Sequence, residues 1–353
     1  MPYWIGVDLS VERANVCILD KAGTVVAAWD CEADATEICR RLKTFRRTSI
    51  KSICIEAGFG THIVRELRAE RYPVQVVEVA RAGRFLRINR IKTDASDARG
   101  LAELVRVGQI IRLGVHVKSL DAQNIRTLLV LRRGLIRNRL RIEQMIQSIV
   151  RSYGGKMRMI SLSGSLARQL ETAYSKLAAD GLMSSFEIEP LVQIVEAMRH
   201  YQRALDRRAS EIARSHPVCR LLMSVPGVGP ITALSFFSAI DDPTRFRRAS
   251  DIGPYLGLIP TLYQSGATLR QGRISKAGSS MTRSHLFSAA VVMLNRTRAD
   301  FPLRTWGRLL RQRIGARKAH VAVARKLAVL MLAMWKSGRV FDASYGAEAK
   351  LTI

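Results

Sequence analysis

The chain has 353 residues, of which 57 are lysine or arginine and 29 are aspartate or glutamate, so its formal net charge is +28. This excess of positive charge is typical of proteins that bind nucleic acid. The aromatic fraction is only 6%, which favours phosphate contacts over base stacking as the main mode of recognition. Two apolar runs, residues 286–294 and 327–335, are each about half of the roughly 20 residues that cross a bilayer. We therefore expect a cytoplasmic protein without a membrane partner.

The N-terminal part of the chain changes from a strand pattern to an alternation of helices and strands. β-Rich runs predict strands at residues 3–9, 14–19 and 25–31, with a turn at Lys21-Ala22-Gly23, which together form an antiparallel meander. Thereafter the periodicity predicts helices at 37–45, 62–70 and 98–107, and strands at 52–56 and 74–79. This order predicts an α/β domain with an RNase H-like (RuvC-like) fold.

Four acidic residues occupy particular places in this pattern. Asp8 ends the first strand, Glu56 ends the fourth, and Asp94 and Asp97 lie three residues apart at a helix start, on one helix face. Carboxylates at the ends of apolar strands are costly unless their charge is compensated, and oxygen ligands suit Mg²⁺ or Mn²⁺. Each acid alone has an ordinary explanation as a turn residue, a solvated strand end or a helix-start acid. Together they predict a site for metal-dependent phosphodiester chemistry.

The five cysteines indicate no special chemistry. They form no C-x-x-C pair and have no histidine at zinc-finger spacing, so neither a zinc site nor a disulfide framework is predicted. The cysteines expected as reduced core residues are Cys17, Cys31, Cys39, Cys54 and Cys219.

From about Ser119 the chain becomes helical and basic, and two stretches show apolar residues at three- and four-residue spacing. The first stretch contains Leu128, Leu131, Leu135, Ile142, Met145 and Ile149. The second stretch contains Leu191, Ile194, Met198, Tyr201, Leu205 and Ile212. We expect an antiparallel coiled-coil arm with Asn138 at a core position, where it would set register or oligomeric state. Residues 153–179 would form its tip.

Arginines cover the first arm helix, at positions 126, 132, 133, 137, 139 and 141. Such a run is either a solvated face or a phosphate-binding surface. With few acids nearby to pair them, we expect nucleic-acid contacts at Arg126, Arg133 and Arg137.

A new, mainly helical unit begins near Pro217. The run VPGVGPITA at residues 225–233 resembles the hairpin of a helix-hairpin-helix motif, in which Gly227 and Gly229 leave backbone N–H groups open to a DNA phosphate. Further motifs follow: YLGLIP at 255–260, QSG at 264–266, GRISKAG at 272–278 and AVARKLA at 322–328. The predicted domains are thus 1–112, 113–216 and 217–353.

With these motifs, and with Gly6-Val7-Asp8 and Lys92-Thr93-Asp94, the chain resembles transposases of the IS110 insertion-sequence family, which are DEDD-type recombinases. The resemblance covers nearly the whole chain, and the order and spacing of the motifs make it specific. Family members often carry K-T-D-R-N-D-A where this chain has KTDASDA at residues 92–98. Both acids are retained, so the difference concerns a neighbouring phosphate contact.

The resemblance implies a bacterial transposase that acts at the nucleoid on element ends and target DNA, guided by a noncoding RNA from the element. It implies that Asp8, Glu56, Asp94 and Asp97 bind the metal and that Ser265 is the nucleophile, forming a serine–DNA covalent intermediate. A homodimer or a homotetramer is expected. The acids and the serine lie in different domains, and they would meet between subunits.

The residues around Ser265 support its role. The side chains expected to contact phosphate are Arg270, Arg273, Lys276, Arg283, Arg317 and Lys318. An ordinary Ser-Gly turn is the alternative, and Ser275 is the second candidate for the nucleophile.

Three other classes of function are compatible with parts of the sequence. A Holliday-junction resolvase or nuclease would use the same acids with water as the nucleophile. A non-catalytic nucleic-acid-binding scaffold would need only the basic surface. An actin-like ATPase is disfavoured because no glycine-rich phosphate loop follows Asp8.

Overall fold

The computed structural model describes residues 1–58, 60–78, 83, 93–109, 114–156, 168–169, 172–173, 175, 189–266 and 268–343. The chain divides into two compact units, Met1–Val117 and Lys118–Ile353. The C-terminal domain predicted at 217–353 and most of the arm predicted at 113–216 fall in the second unit, whereas Gly114 to Val117 belong to the first. The three domain boundaries proposed from the sequence stay a prediction.

The first unit is built on a six-stranded mixed sheet. Its strands are β1 (Tyr3–Leu9), β2 (Arg13–Leu19), β3 (Val25–Glu32), β4 (Ile50–Glu56), β5 (Val74–Val77) and β6 (Gly114–Val115). They are ordered β3-β2-β1-β4-β5-β6. The first three strands pair antiparallel, whereas β4 is parallel to both β1 and β5. The predicted meander and the alternation after it are therefore confirmed, although Val79, the last residue of the predicted fifth strand, lies outside the described residues.

Helices cover both faces of this sheet. They are α1 (Ala35–Leu42), α2 (Thr61–Ala69) and α3 (Asp94–Arg106). Apolar side chains of α1 and α2 pack in one core with Ile5 and Val7, which point from β1 to the same face of the sheet. Helix α3 packs on the other face, against Cys54 and Cys17. Because side chains alternate between faces along a strand, each strand contributes to both layers.

Within its described residues, the second unit is helical apart from one hairpin and the connecting turns. Its long helices are α4 (Leu120–Ser152) and α5 (Glu189–Ser215), followed by α6 (Pro217–Met223), α7 (Pro230–Ile240), α8 (Ile252–Tyr255), α9 (Ser280–Asn295), α10 (Pro302–Ile314) and α11 (Ala316–Ser337). The hairpin consists of β7 (Pro260–Ser265) and β8 (Thr268–Ile274). Helix α7 is buried from Thr232 to Ile240 and forms the centre of the core with α9 and α11. A helix that is apolar on all sides belongs in the interior.

Helices α4 and α5 form the predicted antiparallel pair. Residues further along α4 contact residues that come earlier in α5. Arg132 pairs with Asp206, whereas Ile146 shares a cluster with Val195. Most of residues 153–179, predicted to be the tip of the arm, lies outside the described residues. The pairing is confirmed.

The predicted contact seam of the arm is confirmed only in part. Ile142, Ile149 and Leu191 pack against the buried cluster that the two helices share. Leu131, Met145, Ile194 and Tyr201 are 60%, 44%, 44% and 62% exposed, and Asn138 is also exposed. Buried positions follow these exposed ones by one residue, as Ile146 follows Met145 and Val195 follows Ile194. The apolar spacing is present in the sequence, but the centre of the contact is displaced toward the following residues, which are about 100° further round each helix. A polar cluster is buried there.

That cluster centres on one carboxylate. Glu143 accepts hydrogen bonds through Oε1 from Arg139 Nη1 at 2.6 Å and from Arg199 Nη2 at 2.7 Å. Arg139 also donates from Nε to Gln202 Oε1 at 3.0 Å, and the side chains of Arg139, Glu143 and Arg199 are 8%, 4% and 1% exposed. Arg139, expected from the sequence to decorate the surface, is therefore an interior residue of the arm. Arg132 is likewise committed to its ion pair with Asp206.

All five cysteines are free and buried, which confirms the prediction of reduced core thiols. Burial raises the pKa of the thiols of Cys54 and Cys219 to about 12. No helix of the described segments combines the length and the apolarity that a bilayer crossing requires.

We predict that Glu143→Gln strongly destabilises the arm. The two buried guanidinium groups would lose the carboxylate that they share, although Arg199 would keep its longer ion pair with Glu196 at 3.9 Å. Breaking a buried pair costs about 3–5 kcal/mol. Urea unfolding followed by circular dichroism measures the change. Glu211→Gln is the control, because Glu211 pairs with Arg208 at 3.4 Å on the surface and is 63% exposed, where the pair contributes about 0.2–1 kcal/mol. Equal unfolding midpoints for the two variants would show that the buried cluster does not hold the helices together.

Candidate functional site: an acidic sheet end and an exposed hairpin

Two of the predicted acids are neighbours in the central sheet. The parallel pairing of β1 and β4 aligns Gly6 with Cys54 and Val7 with Ile55, so Asp8 and Glu56 come next. Neighbouring strands are about 4.8 Å apart. Both acids are two residues beyond Gly6 and Cys54 and thus point to the α3 face of the sheet. Both side chains are partly buried.

Helix α3 reaches this end of the sheet because β1 has no side chain at residue 6. A Cβ atom on Gly6 would lie 1.9 Å from the Ala98 carbonyl oxygen and 2.4 Å from the Ala102 amide nitrogen. The helix therefore lies directly on the strand backbone. Its far end is tied by Arg106, which donates from Nη1 to the Lys21 carbonyl oxygen at 3.0 Å, in the turn that follows β2. Helix α3 consequently begins at the end of the sheet where Asp8 and Glu56 lie.

The start of α3 is set by a capping box. The Thr93 hydroxyl accepts from the Ser96 amide at 3.2 Å, and the Ser96 hydroxyl accepts from the Thr93 amide at 2.9 Å. Asp94 and Asp97 lie in the first turn, where acids stabilise the positive end of the helix dipole. Asp94 is exposed and Asp97 is partly buried. The fold thus brings all four acids to one end of the sheet.

All four acids carry carboxylate oxygens, which are the ligands that Mg²⁺ and Mn²⁺ prefer. Across the part of the chain that the structure describes, no three Asp, Glu, His or Cys side chains are grouped closely enough to hold a metal ion. The fold therefore brings the acids to the same edge, and their assembly into one ligand set stays a prediction. Cys54 lies next to this charge: burial, and then the Glu56 carboxylate, raise the pKa of its thiol.

Ser265 lies at the end of β7, beside the turn of an exposed hairpin. The register pairs Ser265 with Thr268, Gln264 with Leu269 and Tyr263 with Arg270. The hairpin forms a two-stranded sheet of its own. Ser265 and Arg270 are exposed, so a large ligand can reach both. The sequence predicted the serine and its basic surroundings, but not the strands that carry them.

The comparison with known protein families agrees with both regions. Residues 5–154 match the family model of DEDD transposases of the IS110 type, and residues 219–304 match that of the transposase IS116/IS110/IS902 family. The two matches together cover about two thirds of the chain. The chain belongs to the IS110/IS116/IS902 family of transposases.

Two relatives of this transposase cover most of its length, and a third covers about one third of it. The transposase for insertion sequence element IS1111A of Coxiella burnetii is 24% identical over 94% of this chain and 88% of its own. A probable family 20 transposase of Pseudomonas aeruginosa is 27% identical over 90% of this chain and 95% of its own. The pilin gene-inverting protein of Moraxella bovis is 31% identical, over 35% of this chain and 38% of its own. The protein is a DNA transposase of an insertion sequence, DNA is its partner, and the DEDD domain favours dependence on a divalent metal.

The loop after the hairpin of the transposase is held in place by Arg283. Its Nη1 atom donates to the carbonyl oxygens of Leu256 and Gly278, both at 3.2 Å, and to that of Ala277. Burial lowers the pKa of this guanidinium group. The structure thus gives Arg283 a positioning role for the loop that carries Lys276, and its phosphate contact stays a prediction.

The other predicted nucleic-acid contacts of the transposase are surface residues. Those exposed to solvent are Arg126, Arg133 and Arg137 on α4, Arg270 and Arg273 on β8, Lys276 in the following loop, and Arg317 and Lys318 at the start of α11. Their exposure leaves the charged groups accessible to phosphate.

The two glycines of the predicted helix-hairpin-helix motif differ in their surroundings. Gly227 has a positive φ of 93°, and a Cβ atom there would lie 2.8 Å from the Ala289 carbonyl oxygen on α9. Gly229 precedes α7 and has open space around it. Packing explains why residue 227 is glycine, and Gly229 is the better placed of the two to approach a phosphate.

Sequence reasoning missed one histidine next to the basic surface of α4. Burial, and then the charges of Arg132 and Arg133, lower the pKa of His285 to about 4, so the imidazole is neutral at pH 7. Arg133 also donates from Nη1 to the Ser280 hydroxyl at 3.5 Å. The neutral ring lets α9 lie beside a concentrated positive charge, and a lone histidine in an apolar helix gives no signal of this in the sequence.

We predict that Gly6→Ala displaces α3 and disturbs the acidic sheet end. The added methyl group would clash with helix backbone, and overpacking of this kind costs about 1–3 kcal/mol or more. Hydrogen exchange should show reduced protection in both α3 and β1, and transposition should fall with it. Gly58→Ala is the matched control, because a Cβ atom there meets no atom within 4 Å. Unchanged exchange in Gly6→Ala would mean that α3 does not depend on this contact.

Proposed function

We propose that the transposase cleaves and rejoins DNA through a serine–DNA covalent intermediate, with Ser265 as the nucleophile and Asp8, Glu56, Asp94 and Asp97 as metal ligands. The observation that carries the proposal is the position of Ser265 beside the turn of an exposed, basic hairpin. The family membership supports the DNA substrate. Residues 1–112, 113–216 and 217–353 act as the DEDD domain, the arm and the serine-bearing domain.

The first domain is RNase H-like in this proposal. Its support is the strand order β3-β2-β1-β4-β5, with an antiparallel meander followed by parallel strands and with helices on both faces. Acids at the ends of β1 and β4 and at the start of α3 then share one edge, as a phosphodiester-cleaving site of this class requires.

In the chemical step, the Ser265 oxygen attacks the scissile phosphorus. One P–O bond forms to the serine, one P–O bond to the DNA breaks, and the serine proton is taken up as the departing DNA oxygen becomes a hydroxyl group. Attack by another DNA hydroxyl reverses these changes and restores the serine. The number of phosphoester bonds is conserved, so rejoining needs no ATP. Arg270, Arg273 and Lys276 stabilise the negative charge that grows on the phosphate oxygens.

A divalent ion, Mg²⁺ or Mn²⁺, held by the four carboxylates would supply electrostatic stabilisation of a phosphodiester at the sheet end. The carboxylates themselves are positioned by the β1–β4 pairing and by the capped start of α3.

Hydrolysis by a junction resolvase or nuclease is the alternative. It is favoured by one observation, namely that all four acids belong to the first unit whereas Ser265 belongs to the second. In that case water would attack the phosphorus and Ser265 would be dispensable.

A noncoding RNA from the element guides the choice of DNA in this proposal. The support is the row of exposed arginines on α4, Arg126, Arg133 and Arg137, which extends the basic surface beyond the hairpin. Base pairing would then read the sequence, while the protein binds phosphates and performs the chemistry. The helix-hairpin-helix-like segment with Gly229 adds backbone donors to this surface.

We predict that purified protein with Mg²⁺, labelled element-junction DNA and the flanking noncoding RNA forms a denaturant-resistant protein–DNA adduct. Ser265→Ala removes the attacking oxygen, and Asp8→Ala removes a metal ligand, so the adduct should be absent in both. Ser215→Ala, an exposed serine at the end of α5, is the control and should retain it. Gel electrophoresis under denaturing conditions measures the adduct.

Two outcomes would contradict the role of Ser265 as the nucleophile. Cleavage without an adduct, unaffected by Ser265→Ala, would establish the hydrolytic alternative. An adduct retained in Ser265→Ala but absent in Ser275→Ala would transfer the nucleophilic role to Ser275.

We infer that the arm joins subunits into a homodimer or homotetramer. On both arm helices the exposed apolar residues precede the buried ones by one position, as Met145 precedes Ile146 and Ile194 precedes Val195. In antiparallel helices an equal offset places both rows on the same side of the pair. Tyr201 belongs to the same row and is 62% exposed. This two-helix apolar face suits the same face of a second copy.

We predict that Met145→Glu combined with Tyr201→Glu lowers the molar mass measured by light scattering to that of the monomer, because charges would have to be desolvated in the contact. The control is Gln144→Glu, since Gln144 is exposed and lies about 200° from Ile146 around the helix. A monomeric wild-type protein, or an oligomer that persists in the double variant, would exclude the arm as the subunit contact.

A further inference from the structure

The hairpin carries an exposed aromatic residue on the same face as Ser265. Side chains two residues apart on a strand point the same way, so Tyr263 and Ser265 share a face, and their cross-strand partners Arg270 and Thr268 share it too. Leu262 and Gln271 lie on the opposite face. A serine, an aromatic ring and a guanidinium group are therefore presented side by side.

The Tyr263 ring lies along the surface of the hairpin. It is 63% exposed, and a Cβ atom on Gly272 would lie only 2.9 Å from Tyr263 Cε2. Gly272 on β8 thus leaves the space into which the ring fits. The ring is supported from below by the hairpin backbone, and its outer side is open to a ligand.

The spacing places the ring beside a nucleotide that adjoins the serine. Tyr263 and Ser265 are two residues apart, which corresponds to about 6.7 Å along β7. Arg270, across from Tyr263, supplies a charge for the scissile phosphate. With Ser265 at the scissile phosphate, the ring is opposite a base that flanks it.

We propose that Tyr263 stacks on a base next to the scissile phosphate and so positions the strand for attack by Ser265. Which base is expected to contact the ring depends on the proposed serine mechanism. Every base has a π-face, so this contact holds the strand without reading its sequence. Tyr263 is a positioning residue, and the chemistry stays with Ser265.

The test is a double-mutant cycle between the ring and the base, carried out in the Ser265→Ala background so that no chemistry occurs. Fluorescence anisotropy measures the affinity for labelled element-junction DNA, intact or with an abasic site at each position flanking the cleavage point in turn. Tyr263→Ala should weaken binding to intact DNA about 5- to 150-fold, the range for base–aromatic stacking. At one abasic position, Tyr263→Ala should have no further effect.

Tyr263→Phe and Tyr263→Trp should restore the coupling, because stacking needs a ring and not the hydroxyl group. Leu262→Ala, on the opposite face of the hairpin, should lower affinity equally for intact and abasic DNA. Independent effects of Tyr263→Ala and base removal at every position would overturn the inference. The binding cycle contains no cleavage step, so the two proposals fail separately. If the wild-type protein forms no adduct with DNA, the serine mechanism alone is refuted. If the adduct forms but Tyr263 and the base show no coupling in binding, the role of Tyr263 alone is refuted.

Discussion

The contact of α3 with β1 at Gly6 determines where the four acids of the first unit lie. A helix can rest on strand backbone only where the strand has no side chain, and Gly6 provides that place two residues before Asp8. The capping box at Thr93 then fixes where the helix begins, and the Arg106 contact fixes where it ends. The acids of α3 and those of the two parallel strands share one edge as a consequence of these three constraints.

Much of the first unit was predictable from residue periodicity. Local signals come from amphipathic helices and from strands that either alternate or are wholly apolar. The ends of the elements from β1 to α3 lie within four residues of the predicted ones, and several coincide with them. The order of the acids was also visible, because each lies at a predicted element end. What the sequence does not contain is the distance between those carboxylates, since it depends on how α3 packs against strands that are far away in the chain.

The arm and the hairpin show where sequence reasoning fails. The apolar spacing of α4 and α5 predicted a seam through Met145 and Tyr201, but the helices meet through Glu143 and Arg199 instead. A buried ion pair has the same residue types as a solvated surface, so periodicity assigns it to the wrong side. The hairpin was missed because its strands are exposed on both faces and carry polar residues at most positions, which removes the alternation that identifies a half-buried strand.

The isolation of the hairpin affects how the sequence around Ser265 can evolve. Strands β7 and β8 form a separate sheet held by their own ladder, and most of their side chains point into solvent. Substitutions at such positions usually change folding stability by less than about 0.5 kcal/mol. Residues near Ser265 can therefore be exchanged almost independently of the core, so that natural selection can retune contacts with DNA while the scaffold beneath them stays the same.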